Sequence, residues 1–94
     1  MATLHVVSHS PFADSRLSSC LRVLGEHDAL LLCGDATYAL RQPDAALSAL
    51  GERLFALEED LLARHLALPA SARAVDYPGF VELSVRFDKV NTWL

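Results

Sequence analysis

The chain opens on an apolar run, Leu4-His5-Val6-Val7, followed by the polar, proline-bearing turn Ser8-His9-Ser10-Pro11. Residues 3–7 read as a strand. After the turn, Leu17, Cys20, Leu21 and Leu24 recur at helical spacing and form one apolar face. Asp14 or Ser15 is placed to cap that helix, and Gly25 to stop it. Residues 28–33 form an unbroken apolar run after a polar start, the pattern of a strand covered on both faces. Gly34-Asp35 ends that run, and Asp35 can cap a short helix holding Ala36, Tyr38, Ala39 and Leu40.

Gln42-Pro43-Asp44 then breaks the pattern, and residues 45–50 suit another helical turn or two. A third strand is predicted over residues 53–57. Glu58, Glu59 and Asp60 open the next helix with acids in its first turn, where they complement the helix dipole. Leu61, Leu62, His65 and Leu66 carry it on, and Pro69 ends it. Residues 72–75 read as a short fourth strand. Asp76 caps a last helix with Pro78 in its first turn and an apolar face of Phe80, Leu83 and Phe87. Asn91-Thr92-Trp93-Leu94 reads as a short tail. Strands alternating with helices at these lengths imply parallel strands and right-handed crossovers. The fold expected is an α/β three-layer sandwich, a small flavodoxin-like domain with a mostly parallel sheet, occupying residues 1–94 as one unit.

Composition adds a second expectation. Hydrophobic residues make up 52% of the 94 positions, above the usual 45–50% that already includes glycine, in a chain too short to enclose a large core. The surplus points to an interface with other subunits, or else to a well-filled core. Net charge is −4, and the eight basic residues stand singly along the chain. No basic track follows a phosphate backbone, so direct nucleic-acid binding is not expected. The longest apolar run, at 29–33, is far too short to span a bilayer. No basic leader precedes the first strand, which points to the cytoplasm, where thiols stay reduced.

The candidate chemistry is sulfur chemistry. Cys33 falls at the carboxyl end of the second strand, the edge where open α/β sheets gather ligands. A thiol just ahead of a helix start can have a lowered pKa. The plainer reading, and the preferred one, is a small apolar residue closing the strand. Cys20 shares a helical face with Leu17, Leu21 and Leu24, the pattern of a packed thiol, and would be reactive only if that face were open to a partner or cleft. His9 is the best acid–base candidate because of its place in the first turn. His5, His27 and His65 form no Cys/His pair at ligand spacing, so no zinc or other metal site is expected. No Gly-x-Ser-x-Gly elbow surrounds Ser8 or Ser10, which argues against a serine hydrolase. The loop over residues 8–12 has no glycine to cradle a flavin phosphate. Asp35 has no acidic pair after the first strand, as a phospho-acceptor domain would need. No cofactor is expected.

The order of motifs resembles the DsrH/TusB family, the smallest subunit of the DsrEFH and TusBCD sulfur-relay complexes. The matching pieces are Leu4-His5 with Ser10-Pro11-Phe12, Leu17-Ser18-Ser19-Cys20-Leu21, and residues 28–32 followed by Asp35 and Tyr38-Ala39. They continue with Leu57-Glu58-Glu59-Asp60-Leu61, Ala63-Arg64, Val75-Asp76-Tyr77-Pro78-Gly79-Phe80-Val81 and Trp93-Leu94. The resemblance covers essentially the whole chain. It implies a DsrE/F/H-like fold and a heterohexamer with TusC/DsrF-like and TusD/DsrE-like subunits. Persulfide sulfur would pass through the complex from a TusA-like donor to a TusE- or DsrC-like acceptor. The end product is 2-thiouridine at the tRNA wobble position in the Tus branch; in the Dsr branch the pathway is sulfur oxidation. The principal sulfur-carrying cysteine belongs to the TusD/DsrE subunit, whereas DsrH-type members carry a first-helix cysteine matched by Cys20. One departure stands out: Asp35 is followed by Ala36 where the family often has glycine.

The expectation is therefore an accessory subunit of a sulfurtransferase complex serving tRNA thiolation. The alternative is a DsrH-type subunit in dissimilatory sulfur oxidation, with Cys20 accepting a persulfide. A stand-alone α/β enzyme using His9 ranks last. A homodimer of the isolated chain is left open.

Overall fold

A computed structural model of the chain describes residues 2–12, 15–41, 45–69 and 72–93. The expected cap Asp14, the break at Gln42-Pro43-Asp44 and the last residue Leu94 lie outside them. The described elements are β1 (Thr3–Val7), α1 (Arg16–Val23), β2 (Ala29–Leu32), a 3-10 helix (Gly34–Arg41) and α2 (Ala45–Ser48). A 3-10 turn (Gly51–Arg53), β3 (Leu54–Leu57), α3 (Glu58–Ala63), β4 (Arg73–Val75), α4 (Tyr77–Arg86) and β5 (Lys89–Trp93) follow.

All strand pairs are parallel, and the sheet runs β4-β3-β2-β1-β5. Successive strands step in one direction as far as β4, and the chain then crosses the whole sheet to lay β5 against β1. With right-handed crossovers, that reversal puts α4 on the opposite face from the other helices. The packing agrees. Leu17 and Cys20 of α1, Ala39 and Leu40 of the 3-10 helix, Leu47 of α2 and Leu61 of α3 share one cluster with Val7, Leu30, Leu32, Leu54 and Ala56. Leu83, Phe80 and Phe87 lie on the other face with Leu4, Val6, Ala29 and Leu31. This is the three-layer α/β sandwich read from the sequence. β2 sits at its centre with all four residues buried, as its continuous apolar run required.

Three local readings need correction. The tail is a fifth strand: Val7 of β1 pairs with Trp93, and the N–H and carboxylate of Asp88 bond the carbonyl and N–H of Ala2. Its polar pattern, Lys89-Val90-Asn91-Thr92, is that of an edge strand with most side chains in water. The helix opened by Glu58 stops at Ala63, six residues short of Pro69. Leu66 N–H bonds Leu61 C=O and His65 N–H bonds Leu62 C=O, with His65 left-handed at φ 53°. That is a Schellman stop carrying histidine where glycine is usual, so the ordinary stop signal is missing. Ser15 occupies the N-cap position of α1 without a side-chain capping bond. Asp76, by contrast, caps α4 as expected, its carboxylate accepting the Gly79 N–H at 2.8 Å.

Candidate functional site at the carboxyl edge of the sheet

The chemistry-bearing residues fall into two groups, one at the carboxyl edge of the sheet and one towards its amino edge. At the carboxyl edge, β2 ends and the chain turns sharply into the 3-10 helix. Gly34 takes φ +52°, and a Cβ there would stand 3.2 Å from the Ser8 carbonyl oxygen. Both facts require glycine: the backbone is left-handed, and the loop after β1 passes too close for a side chain. With Gly34 making the turn, Ala36 needs no special backbone angle, so the missing Asp-Gly pair changes nothing here. Ala36 is buried, and its N–H bonds the Cys33 carbonyl.

Backbone donors around the turn after β2 have acceptors within the chain. The Asp60 carboxylate, from the first turn of α3, accepts the Gly34 N–H at 2.7 Å. The Cys33 N–H goes to the Val7 carbonyl. Arg64 donates to Asp35 Oδ1 at 3.0 and 3.2 Å and to the Asp60 carbonyl at 3.2 Å, while its guanidinium carbon lies 5.9 Å from the centre of the Tyr38 ring. Where a nucleotide-binding relative of this architecture would offer free N–H groups to a phosphate, this chain supplies its own carboxylate.

Cys33 is half-buried in this network, with Sγ 3.7 Å from the Val7 carbonyl oxygen. Its pKa is raised rather than lowered. Burial contributes most, the Asp60 charge adds to it, and Arg64 opposes it. The helix start expected to activate the thiol is instead faced by Asp60, whose charge acts with burial against ionisation of the sulfur.

Cys20 is fully enclosed in the helix-rich cluster. Burial, and then the negative charge of Asp28, push its thiol from an ordinary 9.0 to about 12. It is unionised at any physiological pH. The two cysteines thus lie in different surroundings and are both free. His9 makes no hydrogen bond to either thiol among the described residues.

Towards the amino edge, a buried polar chain went unread in the sequence. His5 lies under the helices, 5% exposed. Trp93 Nε1–H donates to His5 Nδ1 at 3.1 Å, and His5 Nε2 stands 3.3 Å from Asp28 Oδ2. An indole nitrogen only donates, so Nδ1 is the acceptor and the neutral imidazole carries its proton on Nε2, facing Asp28. Asp28 also accepts the N–H groups of Thr3 and Gly25. Burial alone would raise its pKa, but those two bonds and the His5 contact outweigh it and hold the carboxyl below the usual range. The only signal in sequence was a histidine inside an otherwise apolar strand. Among the described residues, no three His, Cys, Asp or Glu side chains are grouped to hold a metal ion. No helix there is long and apolar enough to cross a membrane.

Comparison with known proteins completes the picture. A family model described as DsrH like protein matches residues 9–90. No curated protein matches the chain. Among solved structures, the ychN protein from E. coli superposes with a TM-score of 0.76, covering 99% of this chain and 100% of that one. Identity between the two is 18%, so the likeness is one of fold.

Proposed function

Since the chain belongs to the DsrH-like family, we propose that it is an accessory subunit of a heteromeric, cytoplasmic sulfur-relay complex, serving 2-thiouridine synthesis at the tRNA wobble position. The family match over residues 9–90 carries the reading. The turn after β2 is consistent with it, since the Gly34 N–H there is taken by the Asp60 carboxylate. In such a relay the sulfane sulfur of a donor persulfide is attacked by an acceptor thiolate. The donor cysteine leaves as a thiolate, the acceptor becomes the persulfide, and no net oxidation occurs.

A thiol that takes part must ionise and be reached. Cys20 is enclosed, with its pKa pushed up to about 12, which supports a packing role for it; in the proposed relay the principal sulfur-carrying cysteine belongs to a DsrE/TusD-like partner, fed by a TusA-like donor and emptied by a TusE/DsrC-like acceptor. Cys33 is the less buried of the two, but its raised pKa makes it a slow nucleophile. Co-expression with DsrE/TusD-like and DsrF/TusC-like subunits tests the assembly: one stable complex is expected, and a chain that purifies alone beside them would refute it. Incubating that complex with a persulfide-loaded donor, followed by intact-mass analysis of each subunit, tests the division of labour. Sulfur should appear on a partner; an extra sulfur atom on Cys20 would instead give this subunit its own transfer step.

A further inference from the structure

The helix α4 has two apolar faces, and the sheet uses only one. Phe80, Leu83 and Phe87 turn inward. Tyr77, Val81 and Val85, spaced four residues apart, form a second stripe along the helix and are 49%, 61% and 79% exposed. Isolated exposed valines need no explanation, but three large apolar side chains aligned on one helix do. Together they present about 300 Å² of mostly apolar surface, the size of patch that marks a contact site on a monomer.

The charges beside the stripe suggest what covers it. Glu82 and Arg86 follow Val81 and Val85 by one position, so both lie on the same flank, and neither has an ion-pair partner within the chain among the described residues. We infer that the outer face of α4 docks antiparallel against the α4 of a second copy of this chain. About a twofold axis the same flank of each helix lies on the same side of the contact. Val81 then meets Val85 of the other copy, and Glu82 of each lies on the same side as Arg86 of the other, offset by about 3 Å along the axis and within reach of its long side chain. The stripe is apolar and the flank carries one acid and one base in the order an antiparallel partner inverts, so the surface is complementary to itself. Pro78 and the charged flank extend the contact beyond the stripe, as a specific interface requires, since those bury about 1,000 Å² or more. Association through α4 goes beyond the sulfur-relay reading and does not depend on it.

Sedimentation equilibrium of the purified chain at micromolar to hundred-micromolar concentration tests the contact. A monomer–dimer equilibrium is expected. Val85→Lys, at a position already mostly in water, should leave the circular dichroism spectrum unchanged and abolish the dimer. Glu82→Arg and Arg86→Glu should each weaken association roughly tenfold by setting like charges opposite one another, and the double substitution should restore it. A wild-type chain that stays monomeric overturns the proposal, as does a dimer indifferent to Val85→Lys or a double variant as weak as the singles. Loss of a different subunit from the co-expressed complex on Val85→Lys, with a monomeric wild-type chain, would assign the face to that subunit instead. The relay reading stands or falls separately, on whether the co-expressed subunits purify together.

Discussion

The sharpest difference the fold imposes is between the two thiols, and alkylation measures it directly. Cys20 rises from an ordinary 9.0 to about 12, so near pH 8 its thiolate is about a thousandfold scarcer than that of a free cysteine. It also has no solvent-exposed surface, so even the rare thiolate cannot meet a reagent without an opening of the fold. Once the chain opens, the thiol regains its ordinary pKa, so the two protections are alternatives and do not multiply. For a domain stable by about 5 kcal/mol, one molecule in several thousand is open at a time. The expected slowing is therefore roughly 10³- to 10⁴-fold relative to the unfolded chain.

Cys33 gives the internal comparison. It is half-buried with a raised pKa, so it should react well below the unfolded rate yet far ahead of Cys20. The assay is a time course with iodoacetamide near pH 8, read by intact mass and peptide mapping, with a urea-unfolded sample as reference. One adduct should form on the native protein, at Cys33; two should form at similar rates in urea. A Cys33→Ser variant isolates Cys20 and should remain unmodified. If native Cys20 reacts at a rate comparable to its rate in urea while circular dichroism stays native, the argument from burial fails, and Cys20 regains its place as a persulfide acceptor.

Four further substitutions probe other parts of the structure, each by urea or thermal unfolding. Gly34→Ala should destabilise by about 1–3 kcal/mol, from a left-handed backbone and a Cβ against the Ser8 carbonyl, with loss of the dispersed resonances of residues 8–12 in an NMR spectrum. His65→Gly should stabilise by about 0.5–1 kcal/mol, because the position is left-handed; no gain would mean that the imidazole makes up the cost. Trp93→Phe leaves His5 Nδ1 without its donor in a buried site and should cost about 1–3 kcal/mol. Asp28 has a folded pKa below its unfolded one, so its contribution is present above the ordinary carboxylate pKa and is lost as pH falls through the folded value; the stability of Asp28→Asn should show less acid dependence than wild type between about pH 5 and 2, and parallel curves would refute the assignment.

Much of the architecture was legible because burial wrote it into the periodicity. Residues 28–33 had to be a strand covered on two sides, and Asp76 with Pro78 had to begin a helix. What was illegible had little apolar signature. β5 reads as a polar tail because an edge strand keeps most of its side chains in water; only its contacts with β1 and Asp88 make it a strand. The stop after Ala63 was hidden because His65 does the work of a glycine. At the candidate site, the position of Cys33 was legible, but its electrostatics were not. The carboxylate that cancels the helix start comes from Asp60, twenty-six residues away on the next crossover, and no local pattern couples the two.

The illegible pieces meet at one point in the topology. In a sheet ordered β4-β3-β2-β1-β5 the crossovers after β1 and after β4 lie on opposite faces. Here β5 ends in Trp93, packed beside the helix-rich core and tied back to His5 and Asp28. The neighbouring turn after β2 is closed by Asp60. Both are ties between distant parts of the chain that no local pattern announces. Tyr77, Val81 and Val85 meanwhile leave an apolar stripe exposed along α4. It makes α4, rather than either thiol, the place where a single surface substitution should separate assembly from folding.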